Sequence, residues 1–421
     1  MRPLARRAAV AATLLALVAA PASAHDGRRD PARLVGYFTQ WGIYGKGYVV
    51  KNVEDSGAAR RLTHIQYAFA NITPDLKCGI TDAWADYQKT FPAAQNLDGV
   101  DETWSDTELR GNFNQLRKLK VLHPGLKVLI SVGGWTYSNR FSDAALTEAS
   151  RRTLAESCID IFVKGNVAPG ISAAGVFDGI DLDWEYPGAC GNTCDFRPED
   201  TVNFTLLLAE FRRQLDAAGA AAGKRYELAI ATSAGESNFS KIELKKASRH
   251  VDFMSIMAYD FHGGWEMATN FHSPLLASSA DPAGPKANAD FAVRSYLRAG
   301  VPASKVVLGV PFYGHGWSGV PNVRHGLYQS ATGLAPGVWE AGTNDYRDLA
   351  PLAAADGTFR DFRTQGAWLY NPATGVFWGF DDPVVMGVKA GYARLLGLGG
   401  VMFWELSNDT DDGELIRTLA R

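Results

Sequence analysis

Absent from this chain is any large excess of charge of one sign: 42 Lys and Arg stand against 45 Asp and Glu, a net charge of −3. A nucleic acid or an anionic membrane needs a basic face that this balance does not supply, so neither is expected as a main partner. Beyond residue 24 there is also no apolar run of the ~18–20 residues that a spanning helix requires. A glycine-rich phosphate loop is missing as well. Gly42-Ile43-Tyr44-Gly45, after an early strand, lacks the dinucleotide fingerprint. Cysteine is scarce, with 4 residues in 421, and no histidine stands at zinc-ligand spacing near them. Neither a cofactor nor a metal is expected.

What is present begins with a leader. Arg2, Arg6 and Arg7 make a basic start, Ala8 to Ala20 an apolar middle, and Ala22-Ser23-Ala24 a small-residue cleavage site. Residues 1–24 are therefore expected to be a signal peptide. The Arg6-Arg7 pair leaves a twin-arginine route open beside the general one. Either route ends outside the cytoplasm, and the protein is expected to be secreted and extracellular. In an oxidising compartment an even cysteine count suggests two disulfides. Cys190 and Cys194 bracket a Gly-Asn-Thr loop and are close enough to pair, leaving Cys78 with Cys158. A zinc cluster is the alternative. At 46% hydrophobic content the remaining 25–421 can bury a large core.

The most informative stretch is Phe177-Asp178-Gly179-Ile180-Asp181-Leu182-Asp183-Trp184-Glu185-Tyr186-Pro187. In a strand, alternate residues share a face, so Asp181, Asp183 and Glu185 would point one way, with Phe177 and Gly179 in phase ahead of them. Ile180, Leu182 and Trp184 would face a core. Carboxylates held this close cannot all ionise freely, and at least one pKa should be raised, which is how a general acid is prepared. An acidic edge strand and a divalent-metal site are the competing readings. Edge strands rarely carry a Trp and a Tyr-Pro stop, and hard cations usually take ligands from a loop with a turn glycine.

Taken in order, the chain alternates. Strands are expected over 34–38, 62–70, 127–132, the acidic stretch, 227–232, 252–259, 305–311 and 399–404, with helical patterns between most of them. In the second strand His64, Gln66 and Ala68 alternate against Ile65, Tyr67 and Phe69. A polar, aromatic connection with Trp84, Tyr87 and Trp104 follows it, then a helix carrying Phe113, Leu116 and Leu119. Further helices are expected over 148–163, around Leu208, Phe211 and Leu215, over 290–298 and over 383–396. Residues 313–380 break the rhythm, being rich in Gly, Thr and aromatics. The pattern is that of an α/β fold, a (β/α)8 TIM barrel with a small α+β insertion between strand seven and the last helix–strand unit. A doubly wound open sheet competes, but the missing phosphate loop counts against it. Barrel strands aim their last side chains at one mouth, where Asp183, Glu185, Trp135, Tyr259, Asp260 and Trp404 would gather.

The run Asp178-x-x-Asp181-x-Asp183-x-Glu185 resembles the signature of glycoside hydrolase family 18, the secreted bacterial chitinases. Matching motifs follow in order: Val35-Gly36-Tyr37, Tyr67-Ala68-Phe69, Ser131-x-Gly133-Gly134, Met257-x-Tyr259-Asp260, Pro311-Phe312-Tyr313-Gly314 and Phe403-Trp404-Glu405. Six in sequence at six strand ends cover nearly the whole mature chain. One departure is visible, His315 standing where the family often has arginine after Phe-Tyr-Gly.

The resemblance implies a retaining hydrolase of chitin and chitooligosaccharides, and a monomer is the default expectation for a secreted hydrolase. Glu185 would protonate the glycosidic oxygen while the substrate's own N-acetyl carbonyl attacks the anomeric carbon. Asp183 would orient the acetamido N–H, Asp181 would share a proton with Asp183, and Tyr259 would donate to the acetamido oxygen. Trp404 is expected as the floor under the reacting sugar, Trp265 as a platform for the leaving group, and Trp135 as a further aromatic contact. Tyr37, Phe69, Met257, Asp260 and Tyr313 are expected to line the substrate. Asp178, Gly179, Ser131, Gly133 and Gly134 read as structural, Gly179 because a side chain there would crowd the barrel interior. His64, His123 and His262 read as hydrogen-bonding residues, and Trp84, Trp104, Trp339, Trp368 and Trp378 stay unassigned. An endo-β-N-acetylglucosaminidase acting on N-glycan cores and a silent chitin-binding barrel are the alternatives. Silent binders typically lose the terminal acid, and Glu185 is present.

Overall fold

The structure, a computed structural model, describes residues 32–421. The expected signal peptide lies outside the described residues. Eight parallel strands close on themselves: β1 (Arg33–Thr39), β2 (His64–Ile72), β3 (Lys127–Gly133), β4 (Gly179–Asp183), β5 (Glu227–Ser233), β6 (Phe253–Met257), β7 (Val306–Pro311) and β8 (Gly400–Trp404). Each pairs with the next, and β1 pairs with both β2 and β8, which closes the barrel. Helices Gly111–Leu122, Glu148–Cys158, Asp200–Ala222, Ala289–Arg298 and Pro383–Leu395 are the principal outer elements. The last starts where its sequence dictates, with Pro383 in the first turn and the Asp382 carboxylate accepting the Val385 N–H at 2.9 Å.

Each strand is two-faced. Ile180, Leu182 and Trp184 look outward into the main core, where Trp184 stacks on Phe141 with ring centroids 5.3 Å apart. Val35, Tyr37, Leu129, Ala229, Phe253, Val307 and Met402 fill the barrel instead. Two details of the expected alternation are corrected. Phe177 precedes β4 and packs outward against Phe113 and Phe162, out of phase with the acids. Phe69 turns inward with Ala68, because the β2–β3 register shifts between Ala68 and Ala70. The sixth strand is also shorter than expected, ending at Met257 ahead of a left-handed backbone at Asp260 (φ 56°).

The small sheet lies in the expected insertion. Strands Gly333–Leu334, Tyr313–Ser318, Val376–Phe380, Gly366–Asn371 and Phe359–Asp361 neighbour one another in that order, all antiparallel. Thr343–Asp345 pairs with Tyr313–Ser318 and leads into helix Tyr346–Asp356. Its core of Trp317, Trp368, Tyr370 and Phe377 takes in Phe271, from the loop after β6. Lys46, in the loop after β1, bridges Asp345 at 2.7 Å and Glu405 at 3.3 Å and so ties this sheet to the end of β8. At the sheet's exit the buried Lys389 ammonium meets Asp381 and the Ser273 hydroxyl. Cys78 is bonded to Cys158 and Cys190 to Cys194.

Gly179 is required for a different reason from the one expected. A Cβ there would sit 2.2 Å from the Glu227 carbonyl oxygen, so it would collide with the neighbouring strand's backbone. Gly179→Ala should lower the unfolding free energy by about 1–3 kcal/mol, the usual cost of overpacking. Gly125→Ala, with nothing within 4 Å of the new carbon, is the neutral control. Denaturant midpoints of the two variants check this.

Candidate active site

The β4 acids sit in a graded environment. Asp181 is fully buried, its Oδ2 accepting the Ser131 hydroxyl at 2.7 Å and the Tyr37 hydroxyl at 2.9 Å. Burial pushes its carboxyl up to about 6 against the pull of those two bonds. Asp183, two residues on, is 3% exposed. Burial, then the charges of Glu185 and Asp181, holds it well above the usual carboxylate range. The Oδ1 atoms of both aspartates are buried with no hydrogen-bond partner among the described residues. Glu185 is half-buried at the mouth. Burial and the Asp260 charge raise its carboxyl to about 7, although the Tyr186 hydroxyl favours the ionised form. Protonated acids therefore persist here near neutral pH, and Glu185 can deliver its proton outward.

The strand end is held by residues of the β3 loop. The Ser138 hydroxyl accepts the Glu185 N–H at 2.9 Å and lies 2.9 Å from the Gly134 carbonyl and 3.1 Å from that of Asp183. Gly133 (φ 110°) lets this loop pass against β4, since a Cβ would stand 2.3 Å from the Asp183 carbonyl oxygen. Gly134 (φ 76°) does the same for the Phe69 ring, 2.5 Å away. Ser131 does more than shape the backbone, because its hydroxyl is one of two bonded to Asp181. Asp178 lies at the far end of the strand, bonded to the Val128 N–H at 3.0 Å and to Lys120 at 2.7 Å.

Aromatic rings floor the mouth. Trp404 is half-buried and lies over Phe69, with centroids 5.7 Å apart and planes 16° apart. Tyr37 is 5.2 Å and Trp41 6.4 Å from the same indole. Tyr37 is 1% and Phe69 8% exposed, so both support this floor from below instead of presenting an open face. Trp135 and Trp265 are exposed at 53% and 61%. Met257 and Tyr259 are half-buried against the barrel interior, and among the described residues the Tyr259 hydroxyl has the Met402 sulfur, at 3.9 Å, as its one hydrogen-bond partner. Trp84 and Trp104 stack on each other, centroids 6.3 Å apart, while Trp368 and Trp378 are buried.

Opposite this floor the insertion contributes Tyr313 and His315. Asp260 Oδ1 accepts the Tyr313 hydroxyl at 2.8 Å and stands 2.8 Å from His315 Nε2. Burial would raise the Asp260 carboxyl, but the His315 bond and the His272 and His315 charges hold it below the usual range. His272 is fully buried, and burial pushes its imidazole well down. His64 and His123 are held by Glu227 and Glu54, and His262 by Glu266 at 2.9 Å.

Five contributors escaped the sequence. Tyr186 sits inside the acidic stretch, and Trp41 closes a strand end, so position offered a signal for both. Ser138 and His272 lie in loops without one. His315 was marked only as a departure from a motif.

The profile described as "Glycosyl hydrolases family 18" matches residues 33–409. Chitinase A1 of Niallia circulans is 40% identical over 90% of this chain and 57% of its own length. Chitinase C of Streptomyces lividans is 41% identical over 90% of this chain and 58% of its own. The chain thus spans somewhat over half the length of these curated relatives. The solved catalytic domain of psychrophilic chitinase B from Arthrobacter TAD20 superposes with a TM-score of 0.87 at 40% identity, covering 92% of this chain and 94% of that one.

The Ser131 hydroxyl favours the ionised form of Asp181. Ser131→Ala should therefore move the Asp181 titration upward from about 6, and Tyr37→Phe should act in the same direction. Carboxyl carbon shifts followed by NMR across pH 4–9 read both.

Proposed function

The chain belongs to glycosyl hydrolase family 18, and from that premise we propose that it is a secreted chitinase. It cleaves β-1,4 bonds between N-acetylglucosamine units with retention, as a monomer and without a cofactor. Glu185 protonates the glycosidic oxygen as the bond to the anomeric carbon breaks. The acetamido carbonyl oxygen of the same sugar bonds to that carbon, giving an oxazolinium ion. A nucleophile already tethered to the sugar reacts at high effective molarity, so the protein has only to orient it. Asp183 accepts the acetamido N–H and offsets the positive charge, and the Tyr259 hydroxyl donates to the acetamido oxygen. Glu185, now a carboxylate, takes a proton from the water that opens the ring. Asp181 holds or gives up the shared proton as Asp183 turns, and the three acids titrate as one set. Trp404 carries the pyranose face, with Trp265 and Trp135 further along the cleft beside Met257, Asp260 and Tyr313.

The observation that carries this is the gradient at the end of β4: two buried aspartates on the strand and, two residues beyond it, a glutamate held at about 7 at the barrel mouth, over an aromatic floor. Residues 1–24 act as the export signal.

Glu185→Gln should keep affinity for chitooligosaccharides and lose about 10²–10⁴-fold in turnover, the usual worth of a general acid. Glu185 is protonated below about 7, so kcat/KM should fall as pH rises through that value. The same shift has a stability sign. A carboxyl whose folded pKa is raised stabilises the fold below its unfolded pKa, near 4.3, and loses that contribution as pH climbs to about 7. Glu185→Gln should therefore melt above the wild type at pH 8, with the difference shrinking toward pH 4. Mass spectrometry of digests of N-acetylglucosamine hexamer and of a high-mannose glycopeptide separates the substrates. Dimer and trimer from the hexamer, with the glycopeptide intact, are expected. Cleavage of the glycopeptide alone would assign the chain to N-glycan cores.

A further inference from the structure

Three potential ligand atoms converge at the rim of the cleft from three separate segments. Asp260 Oδ1, His272 Nδ1 and His315 Nε2 all lie within 4.8 Å of one another. His272 is 12 positions and His315 55 positions from Asp260 in the chain, which is why no ligand spacing is visible in the sequence. His315 Nε2 is 2.8 Å and His272 Nδ1 3.5 Å from the same carboxylate oxygen. Ligand atoms on a tetrahedral zinc, bonded at 2.0–2.2 Å, stand about 3.3–3.6 Å apart. The His272–Asp260 pair meets that spacing, and a shift of about half an ångström would bring the His315–Asp260 pair to it. Asp260 can supply it, its side chain being 45% exposed against 10% for His315 and 0% for His272.

Tautomers sharpen the case. His315 Nδ1 is 3.3 Å from the Gly342 carbonyl oxygen, an atom that can only accept. With its proton on Nε2, His315 donates to the Asp260 carboxylate, and with its proton on Nδ1 donated to Gly342 it offers a free Nε2 lone pair to a cation. An imidazole fixed by a backbone carbonyl on one nitrogen and offered through the other is the usual arrangement of a metal-ligating histidine. His272 brings a second ring: its Nδ1 accepts the Asp260 N–H at 3.3 Å and lies 3.5 Å from Asp260 Oδ1, and its Nε2 is buried with no hydrogen-bond partner among the described residues. The carboxylate is aimed by a backbone in the left-handed region, which aspartate tolerates better than most residues. Two imidazoles and one carboxylate suit a borderline transition metal such as Zn2+, Ni2+ or Cu2+ and suit Mg2+ or Ca2+ poorly.

We propose that Asp260, His272 and His315 form a binding site for one borderline transition-metal cation, open to the cleft on its fourth side. Occupation withdraws Asp260 from the cleft, so the cation is an inhibitor and not a cofactor.

The probe is Co2+ added to chelator-stripped full-length protein at pH 7.5, followed by its visible d–d absorption. One equivalent should bind with the intense bands of a four- or five-coordinate centre, and Zn2+ should displace it. His315→Gln and Asp260→Asn should each weaken Co2+ binding at least ~10-fold, a loss already typical of altering only a ligand's supporting partner. Unchanged thermal melting certifies that each variant folds, and the exposed Asp260 serves should His315→Gln fail to. Zn2+ in the same concentration range should raise KM for chitooligosaccharides, a consequence that rests on the chitinase reading, whereas the absorbance titration does not. Absence of saturable bands up to millimolar Co2+, or identical titrations in wild type and both variants, would overturn the site. The first result would leave a proton as the cation that His315 and Asp260 share.

Discussion

Burying two aspartates on one face of a single strand, with a glutamate half-buried just beyond its end, is the constraint from which the rest of this structure follows. Ionised acids at that spacing inside a barrel would repel one another and lose their hydration, so the fold must keep some of them neutral or hand them hydrogen bonds. It does both, in a gradient. Asp181, deepest, receives two hydroxyls and stays nearest to an ordinary acid. Asp183 receives none on Oδ1 and is held well up. Glu185 emerges where solvent and substrate can reach it. The strand's outward residues pay for this arrangement, with Ile180, Leu182 and Trp184 packed into the main core.

The small sheet gains importance in the same light. Its first strand begins at Tyr313, two residues after β7 ends, so Tyr313 and His315 are placed by the barrel itself. Lys46 and Lys389 then fix the sheet at two further points. The result is a cleft wall whose polar groups converge on Asp260, itself adjacent in sequence to Tyr259. The floor and the wall are thus registered to the same strand ends.

Much of this was legible before any coordinates. Short apolar runs separated by helical patterns placed all eight strands, with alternation visible in the second and in the acidic stretch, because strands buried on both sides read as apolar runs. The acids were legible because charge on a buried face is costly and stands out. Where the expectation slipped, a local backbone feature intervened: the register shift that turned Phe69 inward, the late start of β4 that left Phe177 outside, the positive φ that ended β6 early. The bond from the Tyr37 hydroxyl to Asp181 is a contact that no alternation rule carries. Ser138, His272 and the partners of His315 were illegible for another reason. Each acts through contacts between loops, and loop contacts leave no periodic mark.

The aromatic floor straddles the seam where β1 meets β8. Tyr37 and Trp41 come from the first strand and the turn after it, Phe69 from the second, and Trp404 from the eighth. During synthesis the acids of β4 therefore leave the ribosome long before the indole that would seat a sugar above them. Every nascent chain that ends between Glu185 and Trp404 has its acids without the indole above them. Competence arrives only when the seam closes, so assembly of the barrel and completion of the site are a single event in time.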